Sequence, residues 1–231
     1  MNMTEDRLVR RMYLYSRKIN NETQHQNWCS HTEALLKEIG LTNVWESENL
    51  GSKGVWETRV RDHIQKAQEK QWLAAAKKSK KLKVYRKVKS SLVREEYLMH
   101  KNVNGRTALA RIRSGEHCLA INTGRWSGEE RSNRVCNWCL GQTDNWVVED
   151  ERHFMMQCPA YEDERKEMRR KRQQVYKEET DDTDVLFREV LGDYSTSKAG
   201  REEITQLNKI SLAFTEQAMK KRNKHYQEMW E

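Results

Sequence analysis

The chain has 231 residues, of which 34% are charged and only 36% hydrophobic, with a net charge of +8 and a single proline. This composition favours long helices with solvated faces over a sheet protein, and it leaves room for only a thin core. No run of residues approaches the roughly 20 apolar positions of a membrane span, and the N-terminus lacks an apolar signal segment. We therefore expect a soluble intracellular protein, nuclear or cytoplasmic, without a membrane partner, whose thiols stay reduced and suit metal binding.

The N-terminal part predicts helices separated by polar loops. A short helix is expected over residues 5–17. Residues 30–33 have the form of a capping box ahead of an apolar helical pattern, and Gly40 stands where that helix should end. A long helix is predicted over residues 52–79 because apolar positions recur there at helical spacing.

A basic run follows this long helix. Residues 77–94 contain nine basic side chains and no acidic one. Within and just after this run, Leu82, Tyr85, Leu92 and Tyr97 suggest a further helix. Such a run can attract a polyanion and contact its phosphates, whereas the alternative is a solubilising helix face. Aromatic rings among cations can stack on bases, but at helical spacing Tyr85 and Leu92 are more typical of a core. The candidate phosphate contacts are Lys77, Lys78, Lys80, Lys81, Lys83, Arg86, Lys87 and Lys89.

A short basic helix is predicted over residues 106–114, with Leu109 and Ile112 facing inward and Gly115 at its end. The apolar stretch that Gly115 and Gly124 bracket predicts one strand or a tight turn. On either side of this stretch, the candidates for phosphate contacts are Arg111, Arg113 and Arg125, and the candidate for stacking on a base is Trp126. The alternatives are solvated charges for the arginines and a core ring for the tryptophan.

Four potential zinc ligands fall within 23 positions, and they are Cys136, Cys139, His153 and Cys158. Two thiolates three residues apart in a tight turn can face one cation, and the second pair must come from the next element. Asp150 can cap a helix through residues 153–157, which Pro159 prevents from continuing far. We interpret the set as a structural zinc knuckle or ribbon whose four protein ligands leave no vacant position.

Other interpretations of the cysteines and histidines stay open. The four ligands could be unpaired core thiols with a surface imidazole, or disulfides in a secreted chain. Cys29 and Cys118 stand alone in sequence and are interpreted as ordinary buried or half-buried thiols. His117 is interpreted as a polar tether between the basic helix and the metal loop, in preference to a ligand or a catalytic base.

The C-terminal part again predicts helices. A highly charged helix is expected over residues 161–179, followed by an acidic stretch, 180–184, that we interpret as a loop or helix cap in preference to a magnesium site. A short amphipathic helix ends at Gly192, residues 195–200 suggest a flexible linker, and the last helix covers about residues 202–230.

These patterns predict a mainly α-helical fold, with bundle-like helical segments around a small zinc knuckle and little or no sheet. Three parts are expected. They are an N-terminal helical region with the basic run, residues 1–104, a zinc-binding module, residues 105–180, and a C-terminal helical region, residues 181–231.

Three stretches, ARIRSGEHCLAINTGRW, VCNWC and VEDERHFMMQCPAYEDER, together resemble the C-terminal region of reverse transcriptases of non-LTR, LINE-like retrotransposons. In that family an R-x-R-x-G-x-H-x-L segment and a G-R-W/Y element lead into a Cys-Cys-His-Cys zinc site, a C-P-x-Y motif and a charged helix. The matching positions are Arg111, Arg113, Gly115, His117, Leu119, Gly124, Arg125, Trp126, Cys136, Cys139, His153, Cys158, Pro159 and Tyr161.

The resemblance implies a stand-alone or domesticated piece of a retroelement protein that retains a nucleic-acid-binding tail for template RNA or target DNA. The chain departs from the family at Asn122, where relatives often carry an acidic residue. The acidic metal ligands of the family's polymerase have no counterpart here, and the proline–aspartate motif of its nuclease is missing, because the only proline precedes Ala160. The resemblance therefore implies no catalysis.

The leading hypothesis is a non-catalytic, zinc-containing module that binds nucleic acid with weak sequence selectivity, since phosphate contacts position a protein without reading bases. Single-stranded RNA is the preferred ligand and DNA the alternative. The second hypothesis is a structural or interaction module that packs on a polymerase core or self-associates. A third, a metal-dependent nuclease using Glu149, Asp150 or Glu151, is disfavoured because four protein ligands leave the metal closed.

Overall fold

The computed structural model describes residues 7–23, 26–49, 51–177 and 182–228. Within these ranges all regular structure is helical, and the only β-type pairing is an isolated bridge between Val135 and Val148. The predicted mainly α-helical class is therefore confirmed. Every helix in this part of the chain is too short or too polar to cross a membrane.

The chain forms two compact units, Met1–Ala74 and Ala75–Glu231. The predicted segments 105–180 and 181–231 both belong to the second unit, as do residues 75–104 of the first predicted segment. The helices of the first unit are α1 (Leu8–Thr23), α2 (Trp28–Glu38), α3 (Thr42–Ser47) and most of α4 (Lys53–Lys78), which contains the boundary.

The start of α2 corrects the predicted capping box. Asn27 caps the helix, because its side-chain oxygen accepts the backbone N–H groups of Cys29 at 2.8 Å and Ser30 at 3.2 Å. Ser30 completes the box from the third helical position by accepting the N–H of Asn27 at 2.8 Å. Gly40 has φ +73° just past the helix end, as predicted. The thiol of Cys29 is buried, also as predicted.

The long helix α4 agrees with the prediction to within one residue at each end, although it buries little. Its one buried residue is Ala76, and Ile64 on the predicted apolar face is exposed. The helix α1 of the first unit has no buried residue in its described length. The thin core expected from composition is thus clearest in the first unit.

The α-helices of the second unit after α4 are α5 (Tyr85–Val88), α6 (Val103–Ser114), α7 (Ala120–Trp126), α8 (Asn137–Thr143), α9 (Glu162–Val175), α10 (Thr183–Val190) and α11 (Arg201–Glu228). The last helix, α11, packs against both α6 and α9. Leu109 and Ile112 of α6, Phe154, Met168 of α9 and Leu212 of α11 are fully or almost fully buried in one shared core. The segment that carries the predicted metal ligands therefore folds together with the C-terminal helices.

The basic run does not form the single helix that its apolar spacing predicted. The run contains a 3₁₀ turn at Lys81–Lys83 and the one-turn helix α5, and a second 3₁₀ turn follows it at Glu96–Met99. Leu82 and Lys89 leave the helical region of φ and ψ, so the apolar face is interrupted. The side chains that enter the core are Val84, Val88 and Tyr97, while Tyr85 is half-buried and Leu92 is exposed.

The strand or turn predicted after Gly115 is instead the helix α7. Its first N–H groups find partners on Glu149: the carboxylate accepts from Ala120 at 2.6 Å and the backbone carbonyl accepts from Ile121 at 3.1 Å. A partner 29 residues away in sequence starts this helix, so local sequence carries no sign of it.

Helix α6 follows the prediction for its apolar face and its end. Gly115 ends it with φ +67°, and a Cβ there would lie only 2.8 Å from the carbonyl oxygen of Lys81, so glycine is required for the approach of the basic run. Asp182 caps α10 by accepting the N–H groups of Asp184 and Val185, which confirms the cap interpretation. The charged helix predicted over residues 161–179 ends earlier, at Val175, where Tyr176 turns extended. Residue 5, the predicted helix end at residue 230 and Asp181 lie outside the described residues.

A buried ion pair ties α11 to the segment ahead of His153. The guanidinium of Arg222 donates to both carboxylate oxygens of Glu149, at 2.7 and 2.8 Å, and the two side chains are only 3% and 2% exposed. The same guanidinium lies 4.0 Å from the ring centroid of Tyr226, whose hydroxyl also donates to Glu149. The carboxylate that starts α7 is therefore held by the last helix.

We expect Arg222→Met to lower the free energy of unfolding by about 3–5 kcal/mol, because it leaves the carboxylate of Glu149 buried without its partner. Urea denaturation monitored by circular dichroism measures the change. Lys221→Met is the matched control, since Lys221 pairs with Glu164 near the surface, where such pairs contribute about 1 kcal/mol or less. Equal effects of the two substitutions would contradict the structural role of the buried pair.

Candidate metal centre and cationic cleft

The first ligand pair lies at the start of α8. Cys136 precedes the helix and Cys139 is in its first turn. Two backbone hydrogen bonds close the loop that follows, from the N–H of Cys136 to the carbonyl of Val147 at 2.8 Å and from the N–H of Glu149 to the carbonyl of Arg134 at 2.9 Å. This closure brings the chain back beside the cysteines.

The second pair flanks a π-helical turn, His153–Gln157. Asp150 accepts the backbone N–H of His153 at 3.0 Å, so the predicted cap is confirmed, whereas the helix is π rather than α. The N–H of Cys158 donates to the carbonyl of His153 at 2.7 Å, five residues back. This wider turn places the imidazole and the thiol on one side of the chain.

The four side chains meet in one buried cluster, and their ligand atoms all lie within 4.8 Å of one another. The Cys158 sulfur is 3.8 Å from the sulfurs of Cys136 and Cys139, and the Cys139 sulfur is 3.4 Å from Nε2 of His153. A tetrahedral ion with sulfur ligands at about 2.3 Å and nitrogen at about 2.0 Å would place two sulfurs about 3.8 Å apart and a sulfur and the nitrogen about 3.5 Å apart. The four residues therefore form a site that could hold a metal ion, and all five cysteines of the chain are free of disulfides.

Because the three thiols lie close together, their pKa values differ from one another. A hydrogen bond from Cys158 lowers the pKa of Cys136 to about 4, while burial and the charge of Cys136 raise the pKa of Cys139 to about 11. The pKa of Cys158 is also raised, mainly because its S–H donates to Cys136. A metal ion binds thiolates, so loading displaces the remaining protons and the affinity for metal should fall as the pH is lowered.

A second layer of hydrogen bonds holds the sulfurs in place. The backbone N–H of Cys139 donates to the sulfur of Cys136, and that of Ala160 donates to the sulfur of Cys158. The buried guanidinium of Arg165 donates to the carbonyl of Cys158 at 2.5 Å and to Glu162 at 2.7 Å. Such partners orient ligands before the ion arrives.

His117 is the tether that the sequence predicted. Its buried ring is hydrogen-bonded through Nε2 to the carboxylate of Glu151 at 3.0 Å, and its carbonyl accepts from the amide of Asn122 at 2.7 Å. It thereby joins the end of α6 to the segment just before His153. The prediction for Cys118 was wrong, because its thiol is exposed and accepts a hydrogen bond from Arg222 at 3.2 Å.

A cleft of about 530 Å³ in the second unit is rimmed by cationic side chains from three separate stretches of the sequence. Two carboxylates, Asp150 and Glu151, also line it, and Val84, Ile121 and Phe187 contribute apolar surface. The cations are Lys80, Lys81, Lys83, Lys87, Arg125, Arg131, Arg134 and Arg152.

The cleft unites some of the predicted nucleic-acid contacts and leaves others out. The predicted residues that line it are Lys80, Lys81, Lys83, Lys87 and Arg125, and those that do not are Lys77, Lys78, Arg86, Arg111 and Trp126. Trp126 is 69% exposed. Arg131, Arg134 and Arg152 were not predicted as contacts from the sequence. Only their position just before the two pairs of candidate metal ligands could have pointed to them.

Lys89 and Arg113 were predicted as phosphate contacts, and their burial corrects that prediction. Both pair with the carboxylate of Glu95, and their side chains are only 7% and 1% exposed. Arg113 also donates to the carbonyl of Leu191 at 2.6 Å and lies over the ring of Tyr97. Both side chains are therefore engaged in contacts within the fold, and loss of either would leave the carboxylate of Glu95 with one partner fewer.

The positive charge of the rim is only partly neutralised. Lys80, Lys83 and Lys87 have no ion-pair partner among the residues that the structure describes. Arg125 donates to the side-chain oxygen of Asn122, and Arg134 donates to backbone carbonyls, so both keep an uncompensated charge. The remaining pairs are Lys81 with Glu116, Arg131 with Asp150 and Arg152 with Asp184.

The metal site and the cleft share backbone segments. Arg131 and Arg134 lie just ahead of Cys136, while Arg152 and the two carboxylates of the cleft lie just ahead of His153. An ion that fixes the two ligand pairs therefore also fixes two parts of the rim.

In comparisons with known proteins, no protein-family model, no curated protein and no solved structure matches this chain. Function is therefore inferred from the chemistry of the site, and the resemblance to retroelement reverse transcriptases stays a prediction.

We expect the protein to bind one Co²⁺ ion per chain, with the absorption of a tetrahedral thiolate site. Cys139→Ser should weaken this binding at least about tenfold, because loss of a ligand should cost no less than the loss of a residue that only orients one. A spectroscopic titration of the metal-free protein measures both.

Cys118→Ser is the matched control, since Cys118 lies outside the four-residue cluster, and it should leave stoichiometry and affinity unchanged. Full binding by the Cys139→Ser variant would show that the four residues do not form the site.

Proposed function

We propose that this chain is a non-catalytic nucleic-acid-binding module that contains structural zinc. The observation that carries the proposal is the convergence of eight cationic and two anionic side chains on one cleft, beside four buried ligands at tetrahedral spacing. Zn²⁺ is the ion that best suits three thiolates and one imidazole in this geometry. Its role is structural, because four protein ligands leave no position for a substrate.

The ligand in this proposal is a sugar–phosphate backbone, because several cations of the rim keep uncompensated charges that phosphates can neutralise. Such contacts depend strongly on salt and weakly on base sequence. Single-stranded RNA is the ligand we favour, and DNA offers the same phosphates. The protein would act inside the cell, in the nucleus or the cytoplasm, where the thiols stay reduced. The resemblance to the C-terminal region of retroelement reverse transcriptases supports the same function.

A second function, binding of a protein partner, is favoured by the surface of the first unit. Helix α1 leaves large apolar side chains in solvent, and Leu8, the most exposed of them, has 70% of its surface free. An apolar pocket of about 290 Å³ nearby is lined by Tyr13, Trp28, Trp45 and Trp56. Apolar surface of this kind is typical of interaction sites. A concentration-dependent sedimentation coefficient would support self-association, and a monomer at all concentrations would contradict it.

We expect the double variant Lys83→Gln, Lys87→Gln to bind labelled single-stranded RNA more weakly than the unaltered chain. Removing one phosphate-binding cation should reduce the slope of log affinity against log salt by roughly 0.7, so removing both should reduce it by roughly 1.4. Fluorescence anisotropy across a salt series, on zinc-loaded protein, measures the slope.

The control is Lys209→Gln, which removes an exposed charge from α11 outside the cleft. It should change the slope little. If the control and the double variant weaken binding alike, net charge rather than the cleft determines affinity, and the proposed site is wrong.

A further inference from the structure

Three apolar side chains, Val84, Ile121 and Phe187, line the cleft among its cations, and we call them its floor. Ile121 lies in α7, Phe187 in α10 and Val84 just ahead of α5, and Val84 and Phe187 are only 7% and 5% exposed, so each presents a small part of its surface. The guanidinium of Arg152 lies 5.8 Å from the centroid of the Phe187 ring. A volume of about 530 Å³ falls within the range of about 300–1,000 Å³ that is usual for sites enclosing a small organic group.

The floor and the rim together would distinguish a single-stranded nucleic acid from a duplex. In a duplex the apolar faces of the bases are stacked inside and only the backbone is presented, so a duplex can use the rim alone. An unpaired nucleotide presents both a phosphate and a base face, and contact between a base and such a surface adds to the phosphate interaction.

The polar groups around the floor are already satisfied within the protein. Asp150 accepts from His153 and Arg131, and Glu151 accepts from His117. Asn122 uses both ends of its amide, donating to the carbonyl of His117 and accepting from Arg125. The side chains of the floor are themselves apolar and carry no group that could hydrogen-bond the edge of a base, so contact with the floor should depend little on which base is present.

We infer that the cleft takes one unpaired nucleotide of a single strand, with its base against Val84, Ile121 and Phe187. Its phosphate lies among the uncompensated cations of the rim, Lys80, Lys83, Lys87, Arg125 and Arg134. The inference rests on the proposed function and deepens it, because it names the position that one nucleotide of the single strand occupies and the side chains that its base contacts.

The test compares a labelled single-stranded oligonucleotide with a duplex of the same sequence, at one salt concentration, using zinc-loaded full-length protein. The single strand should bind at least about fivefold more tightly, which corresponds to the lower end of the energy of one base–aromatic contact. Ile121→Trp fills the floor without changing charge. It should lower single-strand affinity about fivefold and leave duplex affinity unchanged, whereas Lys83→Gln should lower both.

A second measurement does not depend on any variant. A 2-aminopurine base in the single strand should gain fluorescence when the unaltered protein binds, because the base leaves its neighbours to enter the cleft. Equal affinity for single strand and duplex, or unchanged 2-aminopurine emission in the bound state, would overturn the inference and leave the proposed function standing. Absence of binding to either form at low salt would overturn both.

Discussion

The second unit depends on one constraint, which is that three thiols and one imidazole are buried close together. Without a cation, the cluster buries a thiolate and shared protons in an apolar core, which is unfavourable. A divalent ion would compensate the negative charge, and its binding free energy would add to the free energy of folding. The ligand pairs, at Cys136–Cys139 and at His153–Cys158, are also the anchors of the arginines just ahead of them. One ion bound there would therefore organise both the core and the rim of the cleft.

Buried arginines add polar contacts to a thin apolar core. Arg113, Arg165 and Arg222 are almost fully enclosed, and each is held by a carboxylate together with a backbone carbonyl or a ring. Arg113 and Arg222 pair with carboxylates 18 and 73 residues away, whereas Arg165 and Glu162 share α9. Each pair is costly to break because it leaves a buried charge behind. Some cations of the chain thus lie in structural ion pairs, whereas others line the rim of the cleft.

Features set by neighbouring residues could be predicted from the sequence. The spacing of the four ligands, the cap at Asp150 and the end of α6 at Gly115 are local, and the structure shows each of them. The start of α7 depends on Glu149, 29 residues away in sequence, so the local pattern gave a strand or a tight turn instead. Lys89 pairs with the nearby Glu95, but its burial depends on how the whole segment packs, so the local pattern gave a phosphate contact instead. Tertiary contacts decided which lysines of the basic run became structural.

The most direct test of this account is the affinity of metal-free protein for single-stranded RNA as Zn²⁺ is added in steps. If the ion positions the rim, affinity should rise with each addition and reach a plateau at one equivalent of Zn²⁺ per chain. An affinity that is the same before and after zinc, in protein whose helical content is also unchanged, would contradict the dependence of the cleft on the metal centre.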